Sequence, residues 1–451
     1  MPYTPDWEAL QADAVATLSR YVQFDTTNPP GNELPAAEWL RDELVRRGIV
    51  QEVALYEPAP GRGLLLARIP GSEPLKPLIL NHHIDVVAAD PGQWTHPPFG
   101  GVVADGFVWG RGTLDTKCLG VIFMLALQEL LKEGVTFRRP VIFLAVPDEE
   151  TGGRQGMRWL VERHLADLDP AWVWDEGGGG IRGIFGEGVF FGIAVVERQI
   201  QHLRLTATGT PGHGSMPHAD NACVTLLRAL ERILSSPRPM RLNEVTKEMF
   251  RALGRGQTFP RSLVRFLAHP LFLRLAGRRL AADKWLNAML RDTVSLTVLR
   301  AGYKVNVIPE RAEAEIDCRL LPDTDAAEFH RWLRGRIADE RVRVEVMESS
   351  PPSGVSPRDS AFYGAVVRAV ERHVPGSTVF PLLMTGATDG RYFRQRDYPA
   401  YGFGPIVLEP EDISRTHGID ERISFANLVL GIRIAREVIR ELCVGEAGGS
   451  G

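Results

Sequence analysis

Cysteine is scarce in this chain. There are four in 451 residues, Cys118, Cys223, Cys318 and Cys443, and no two stand at a metal-binding spacing. They read as reduced side chains, which excludes a disulfide scaffold. Long apolar runs are also missing; none reaches the ~18 residues of a membrane-spanning helix. Nor is there an excess of one charge: Lys and Arg total 52, Asp and Glu 56, and the net charge is −4. That balance gives no electrostatic reason to expect a nucleic acid or an anionic membrane as partner. The opening residues, Met1-Pro2-Tyr3-Thr4-Pro5-Asp6, lack the pattern of a signal peptide, so the cytoplasm is the expected location. No internal repeat is visible. What remains is 44% hydrophobic and 24% charged residues, the composition of a folded protein long enough for two or three domains.

The stretch 80–150 organises the rest. Leu78-Ile79-Leu80 leads into Asn81-His82-His83-Ile84-Asp85, and the run 141–146 leads into Asp148-Glu149-Glu150. Between them lies Gly110-Arg111-Gly112-Thr113-Leu114-Asp115. Short apolar runs ending in metal-ligand residue types read as buried strands whose carboxyl ends carry a site. A helix over 120–132 is apolar nearly all round, so it should lie buried against a sheet. Residues 171–174 form a further short strand, ending at Asp175-Glu176. Helices are predicted over 6–22, 33–47 and 156–164. This alternation predicts an α/β fold with a mostly parallel sheet covered on both faces. The connection 90–110, rich in Pro, Gly and Trp, reads as a long irregular loop.

The pattern changes near Arg198. Residues 201–208 alternate as a half-buried strand does. A helix over 222–233, strands over 293–299 and 311–320, a helix over 323–336 and a strand over 342–347 follow. Together they predict a small two-layer α+β unit with an antiparallel sheet. The Arg- and Leu-rich segment 237–291 interrupts it as a helical insertion. From residue 350 the α/β character returns, with helices over 360–373 and 426–442 and a strand over 379–383. The expected division is therefore a discontinuous first domain, 1–197 with 350–445, a domain 198–349 inserted into it, and a flexible Gly-rich tail 446–451.

Seven candidate ligands stand at or near the strand ends: His83, Asp85, Asp115, Glu149, Glu150, Glu176 and, much later, His417. Singly, each has a bland reading. A histidine after a strand is usually packed or at the surface, and Glu149-Glu150 alone would pass for an exposed acidic loop. Seven in one setting point to a two-metal hydrolase. Mixed histidine and carboxylate donors suit zinc, cobalt or manganese better than calcium or magnesium. Two cations ~3.5–4 Å apart share a water and lower its pKa. A short rigid carboxylate such as Asp115 suits the bridge between them. Glu149 can serve as a base only if it points differently from Glu150. Likewise His82 and His83 alternate in direction, so only one should face the metals.

Taken in order, these motifs resemble those of the M20 family of metallopeptidases and aminoacylases, which includes acetylornithine deacetylase, succinyl-diaminopimelate desuccinylase, glutamate carboxypeptidase and aminoacylase-1. The resemblance runs from Asp25-Thr26-Thr27-Asn28-Pro29-Pro30-Gly31 to Ser414-Arg415-Thr416-His417-Gly418. Between these ends it passes through His83-Ile84-Asp85, Asp115-Thr116-Lys117, Asp148-Glu149-Glu150, Pro211-Gly212-His213, Asn306-Val307-Ile308-Pro309 and Thr388-Asp389. It implies a zinc-hydrolase catalytic domain with an inserted lid, or dimerisation, domain. It also implies two divalent metal ions per subunit, zinc foremost and cobalt or manganese as alternatives. By resemblance His83 and His417 are terminal ligands of the two metals and Asp115 bridges them. Glu150 and Glu176 complete the set, with Asp175 as the alternative to Glu176. Glu149 matches the general base, and Asp85 the acid that accepts the other ring proton of His83. His213 would polarise the scissile carbonyl on lid closure, from the neighbouring subunit in dimeric members. Asn306, Gly386, Thr388, Arg391 and Arg415 are the candidates for substrate contact. The implied substrate is a small peptide or an N-acyl amino acid with a free carboxylate, and a homodimer through the lid is the implied assembly.

Departures from the family pattern bear on substrate. His82 stands where many members have Gly or Ser, and Val86-Val87-Ala88-Ala89-Asp90-Pro91 replaces a common Val-Val-Pro. The insertion 237–291 is similar to that of the carboxypeptidase S-like and N-fatty-acyl-amino-acid hydrolase branch. Its Phe250, Phe259, Phe266 and Phe272 read either as core or as the wall of an acyl pocket. Carboxypeptidase or dipeptidase and N-acyl-amino-acid amidohydrolase stay open at this point. An N-carbamoyl or other non-peptidic C–N hydrolase, and an inactive binding protein on the same fold, are the rival classes.

Overall fold

The computed structural model describes residues 3–184, 186–255, 257 and 261–445. Phe259 and the tail 446–451 lie outside the described residues. Ten strands form the main sheet. At its centre Val141–Val146, Leu78–His83 and Trp172–Asp175 lie side by side and parallel. Every residue of the first two strands is buried. Their side chains alternate between two packed faces, which is why the sequence there is continuously apolar rather than alternating. Leu78, Leu80, Val141 and Phe143 face a large core that includes Trp7–Val22, Lys117–Lys132 and Phe425–Cys443. Ile79, Ile142, Leu144 and Val146 face a smaller one under Met157–Leu168.

The second sheet has four antiparallel strands in the order Thr293–Ala301, Arg311–Leu320, Gln199–Thr208 and Val342–Ser349. Leu203, Leu205 and Ala207 point to a separate core closed by Ala222–Leu234 and Ala326–Ile337. Both helices start on a side-chain cap. Asn221 accepts from the N–H of Cys223 and Val224, and Asp325 from that of Ala327, satisfying donors that a helix start leaves open.

The insertion folds as Glu244–Arg255, the 3-10 segment Arg261–Ala268, Pro270–Ala282 and Lys284–Leu290. Its buried Met249, Phe250, Leu253, Leu273 and Leu280 join the large core of the main sheet, not the core of the small sheet beside which they stand in sequence. Phe250 is thus core, while Phe266 and Phe272 are exposed.

Two elements differ from the sequence expectation. Val189–Glu197 is a fully buried nine-residue strand of the main sheet, paired with Thr378–Met384 and with Gly179–Arg182. Only Arg198 separates it from Gln199–Thr208, so no turn in the sequence marks where it ends. The connection 90–110 is not irregular throughout. Val102–Ala104 and Phe107–Trp109 form a hairpin that also pairs with Arg422–Ser424, bringing the His417 region back beside the Asp115 loop.

His202 ties strands of the small sheet together. Its Nδ1 lies 3.1 Å from Glu348 and its Nε2 3.4 Å from Asp317. Hydrogen bonds to Asp317 and Glu348 push its pKa up to about 9, with burial opposing. A raised folded-state pKa stabilises fully below the ordinary value of 6.5 and the benefit is lost as pH rises through about 9. Denaturation of the wild type should therefore become easier across that window, and His202→Gln should flatten that part of the profile. An unchanged profile in the variant would contradict the assignment.

Candidate metal centre

The candidate ligands converge because of strand order. His83 closes Leu78–His83, Glu149 and Glu150 open the 3-10 turn after Val141–Val146, and Glu176 follows Trp172–Asp175. These are three adjacent parallel strands, so their carboxyl ends share one edge. Asp115 lies just before Lys117–Lys132, and His417 in the loop after Pro410–Ile413.

Asp115 turns its two oxygens to two different imidazoles. Oδ1 lies 2.9 Å from His83 Nε2 and Oδ2 lies 2.9 Å from His417 Nε2. Glu176 Oε1 is 3.5 Å from His83 Nε2, and Glu150 Oε1 is 3.2 Å from His417 Nε2. Two triads result, His83–Asp115–Glu176 and Asp115–Glu150–His417, each with its donor atoms within 4.8 Å of one another. Nitrogen and oxygen donors that share one carboxylate are the set expected around a pair of divalent cations.

The electrostatics agree. Burial opposes a charged His83, yet Glu176 and Asp115 hold its pKa well above the usual histidine value. Hydrogen bonds to Asp115 and Glu150 raise His417 to about 10. Burial lifts Glu176 to about 8, with His83 opposing, and burial together with the charge of Glu176 lifts Glu149 well above the carboxylate range. Four carboxylates crowd two imidazoles, and positive charge is what such a cage favours. Glu150 turns to His417, whereas the Glu149 carboxyl makes no side-chain hydrogen bond among the described residues. The neighbours do point differently.

Asp175 and Glu176 divide as their directions require. The Asp175 carboxylate accepts from Asn81 Nδ2 at 2.8 Å and from the Gly390 N–H at 2.5 Å, which leaves Glu176 to face His83. His82 turns away from the cluster. Its Nε2 meets the Tyr21 hydroxyl at 3.2 Å and its Nδ1 the Leu144 carbonyl at 3.0 Å. Burial holds its pKa down to about 3. Gly120 makes room for it, since a Cβ there would stand 2.3 Å from His82 Nε2.

Asp85 departs from expectation. The His83 Nδ1 partner is the backbone carbonyl of Asp85 at 2.8 Å, and the Asp85 carboxylate is 3.7 Å away. That carboxylate instead accepts from the backbone N–H of Glu149 and of Glu150, both at 3.1 Å, and from Asn28 Nδ2 at 2.8 Å. It positions the Glu149-Glu150 turn rather than the imidazole.

The substrate candidates are dispersed. Thr388 spends both its N–H and its hydroxyl on the buried Glu197 carboxylate, which leaves the side chain no donor for a ligand. Arg391 donates to the Gly152 carbonyl and to the Tyr392 hydroxyl. Arg415 binds Asp412 and the Asp420 carbonyl. A Cβ at Gly386 would stand 3.9 Å from Met384 Cε. His213 and Asn306 come together on the ribbon formed by Gly212–His213 and Val307–Ile308. Both are exposed, and neither bonds to the metal cluster among the described residues.

Glu421 supports the candidate site from a position that its sequence context does not single out. It is fully buried and pairs with Arg111 at 2.5 Å. It also accepts from the N–H groups of Gly112, Leu114 and Asp115 at 3.1, 2.7 and 3.1 Å. It thereby fixes the backbone on which the bridging carboxylate stands. Its surroundings, Asp420-Glu421-Arg422, look like solvent-facing charge; the available clue was Arg111 within Gly110-Arg111-Gly112, a buried cation needing an anion. Asn28, in the proline loop, is a second such residue.

A mixed α/β fold with a carboxylate–histidine cage at strand ends defines a metal-dependent hydrolase. The sequence model of peptidase family M20/M25/M40 matches residues 79–441, and the chain belongs to that family. It is similar to the N-fatty-acyl-amino acid synthase/hydrolase PM20D1 of Xenopus tropicalis, 35% identical over 383 residues, covering 83% of this chain and 74% of that protein. It is 29% identical to aminoacylase-1 of Homo sapiens over 437 residues, 95% of each. Among solved structures, the M20 family metallo-carboxypeptidase Sso-CP2 of Sulfolobus solfataricus shares the fold with a TM-score of 0.71 at 17% identity, covering 95% of this chain and 98% of that one. Human carnosine dipeptidase 1 does so with a TM-score of 0.70 at 15% identity, covering 96% and 97%. Family membership implies dependence on a divalent metal.

Glu421→Gln should lower metal affinity roughly 10–100-fold, because residues that orient ligands carry that much. Titration with a chromogenic chelator competitor would measure it. Wild-type affinity in a folded variant would show that Asp115 does not need this support.

Proposed function

We propose that the protein hydrolyses the amide bond of N-acyl amino acids, using two divalent ions, zinc foremost. Its catalytic domain would be 1–197 with 350–445, and its lid 198–349. The observation that carries the N-acyl reading over the peptidase reading is a cavity of about 390 Å³ that opens on Asp115 and Glu176. Its wall is apolar: Leu119, Ile122, Phe190, Phe380, Leu382 and Ile406 line it. None of these carries an anion or hydrogen-bond acceptor for the charged ammonium of a peptide, whereas an acyl chain gains about 0.8 kcal/mol per buried methylene. Phe250, Phe266 and Phe272 of the insertion take no part in that wall; the insertion contributes Trp285 instead. The relative named an N-fatty-acyl-amino acid synthase/hydrolase points the same way.

His83, Asp115 and Glu176 would hold one ion, and Asp115, Glu150 and His417 the other. The ions would supply Lewis-acid polarisation and an acidified water. The residues do the rest. Glu149, unbonded and with a raised affinity for protons, takes the proton of the attacking water and delivers it to the leaving amine. Asp85 holds the turn that aims it. His213 and Asn306 stand exposed on the lid, so a second subunit would bring them to the site. Support for a dimer through the lid comes from Val224, Leu227 and Leu234, exposed on one face of Ala222–Leu234. The cysteines, all free, are compatible with a cytoplasmic location, and no described helix is long and apolar enough to cross a membrane.

Two experiments test this reading. Metal-loaded protein offered a mixed library of dipeptides and N-acyl amino acids, analysed by mass spectrometry, should cleave the N-acyl amino acids and favour long chains. Glu149→Gln should lose about 10²–10⁴-fold in rate. Preferential dipeptide cleavage would reverse the assignment. In the second, graded chelation should remove one ion per chain early. The His417 side chain is 50% exposed and that of His83 1%, so the His417 ion should leave first, and His417→Ala should retain a single ion. Simultaneous loss of both would contradict two sites of unequal access.

A further inference from the structure

The insertion presents a surface unlike the rest of the molecule. From Arg261 to Lys284 the sequence carries six cations, Arg261, Arg265, Arg274, Arg278, Arg279 and Lys284, against a single acid, Asp283. None of the six forms an ion pair or a side-chain hydrogen bond among the described residues; Arg265 lies only over the Phe266 ring. Elsewhere, arginines such as Arg47, Arg62, Arg111 and Arg341 are tied to carboxylates.

Among these cations stand five large apolar side chains that face water: Leu263, Phe266, Leu271, Phe272 and Leu275, the last 74% exposed. Two pairs among them adjoin. Phe266 and Phe272 pack with ring centroids 5.5 Å apart. Leu271 and Leu275 are one turn apart on Pro270–Ala282 and so share a face. On the opposite side Leu273 and Leu280 anchor that helix in the core, so the outward residues are held in place.

Exposed apolar side chains grouped in this way mark a docking surface. Its charge decides the partner. Unpaired arginines beside leucine and phenylalanine are the chemistry of a helix lying in a membrane interface, where the apolar side chains enter the acyl boundary and the guanidinium groups reach back to the phosphates. The net charge of −4 does not oppose this, because at physiological salt charges beyond about 8 Å are screened. A bilayer meets the local patch.

We propose that the surface 261–284 docks on an anionic phospholipid bilayer. The headgroup phosphates take the arginines, and Leu271, Phe272 and Leu275 enter the lipid. The same insertion supplies Trp285 to the cavity beside the metal centre, so docking surface and cavity wall belong to one structural unit. Docking does not depend on the substrate reading, and its test needs no turnover.

The test is co-sedimentation of the full-length, metal-loaded protein with phosphatidylserine–phosphatidylcholine vesicles and with pure phosphatidylcholine vesicles, at low and high salt. Binding is expected only with phosphatidylserine, weakened by salt. Arg274→Glu with Arg278→Glu should weaken it about fivefold or more per cation removed, and Leu271→Glu with Leu275→Glu at least tenfold. Leu275→Ser, at a position with almost no packing to lose, guards against misfolding and should weaken it less. All variants should retain hydrolysis of a short-chain N-acyl amino acid, or failing that substrate, wild-type metal content and thermal unfolding. Absence of binding to phosphatidylserine vesicles, or equal binding by wild type and both double variants, would overturn the proposal. So would a lipid-free dimer that the Leu271→Glu, Leu275→Glu protein loses in ultracentrifugation, since the surface would then be a protein interface.

Discussion

One carboxylate facing two imidazoles is the constraint on which the rest of the site depends. Asp115 can do this only if its backbone is held, because its side chain is too short to adjust for a loop that drifts. Glu421 supplies the hold by accepting three consecutive-region N–H groups, and Arg111 neutralises Glu421 in turn. A buried ion pair is a poor way to gain stability, since desolvation offsets much of its attraction. Here it yields position. The hairpin at 102–109 and the strand Arg422–Ser424 bring the two chain segments together, so the last part of the chain closes a site that the first part begins.

The same logic governs the other side of the cage. His83 and the Glu149-Glu150 turn come from neighbouring strands, and Asp85 addresses both, with its carbonyl on the imidazole and its carboxylate on the turn. Asn28 and Arg62 extend this support outward: Asn28 donates to Asp85, and Arg62 binds Asp148 and Glu33. Charge is therefore layered. Candidate ligand carboxylates stand innermost, acceptors that hold their backbone come next, and buried cations lie outside. The buried cations Arg111 and Arg62 offset part of the cost of burying Glu421 and Glu33.

Much of this was legible in the residues. Apolar runs ending in His83, Glu149-Glu150 and Glu176 announced parallel strands with ligands at their ends, and the opposite pointing of adjacent residues separated His82 from His83 and Glu149 from Glu150. What stayed hidden was of two kinds. Val189–Glu197 is buried on both faces and carries no period. Glu421, Thr388 and Arg391 draw their roles from partners far away in sequence: three backbone N–H groups, Glu197, and Gly152. Short polar residues in a motif look like ligand contacts when their hydrogen bonds are unknown, and Thr388 shows that the same residue can be fully spent on the fold.

Composition misleads in a similar way where it averages. A net charge of −4 describes the chain from far away, yet within a screening length only a few side chains matter. The insertion gathers unpaired cations and apolar side chains on its outer face while its inner face, through Phe250, Leu273 and Leu280, is part of the main core. That packing has a mechanical consequence. Although 198–349 is proposed as the lid, its insertion is fastened to the core of the main sheet, so a movement of the small sheet alone would leave Trp285 in the cavity wall. Such a movement would change access to Glu149 without changing the volume of the cavity. On the proposed N-acyl reading, chain-length preference and turnover would then be separable properties of one fold.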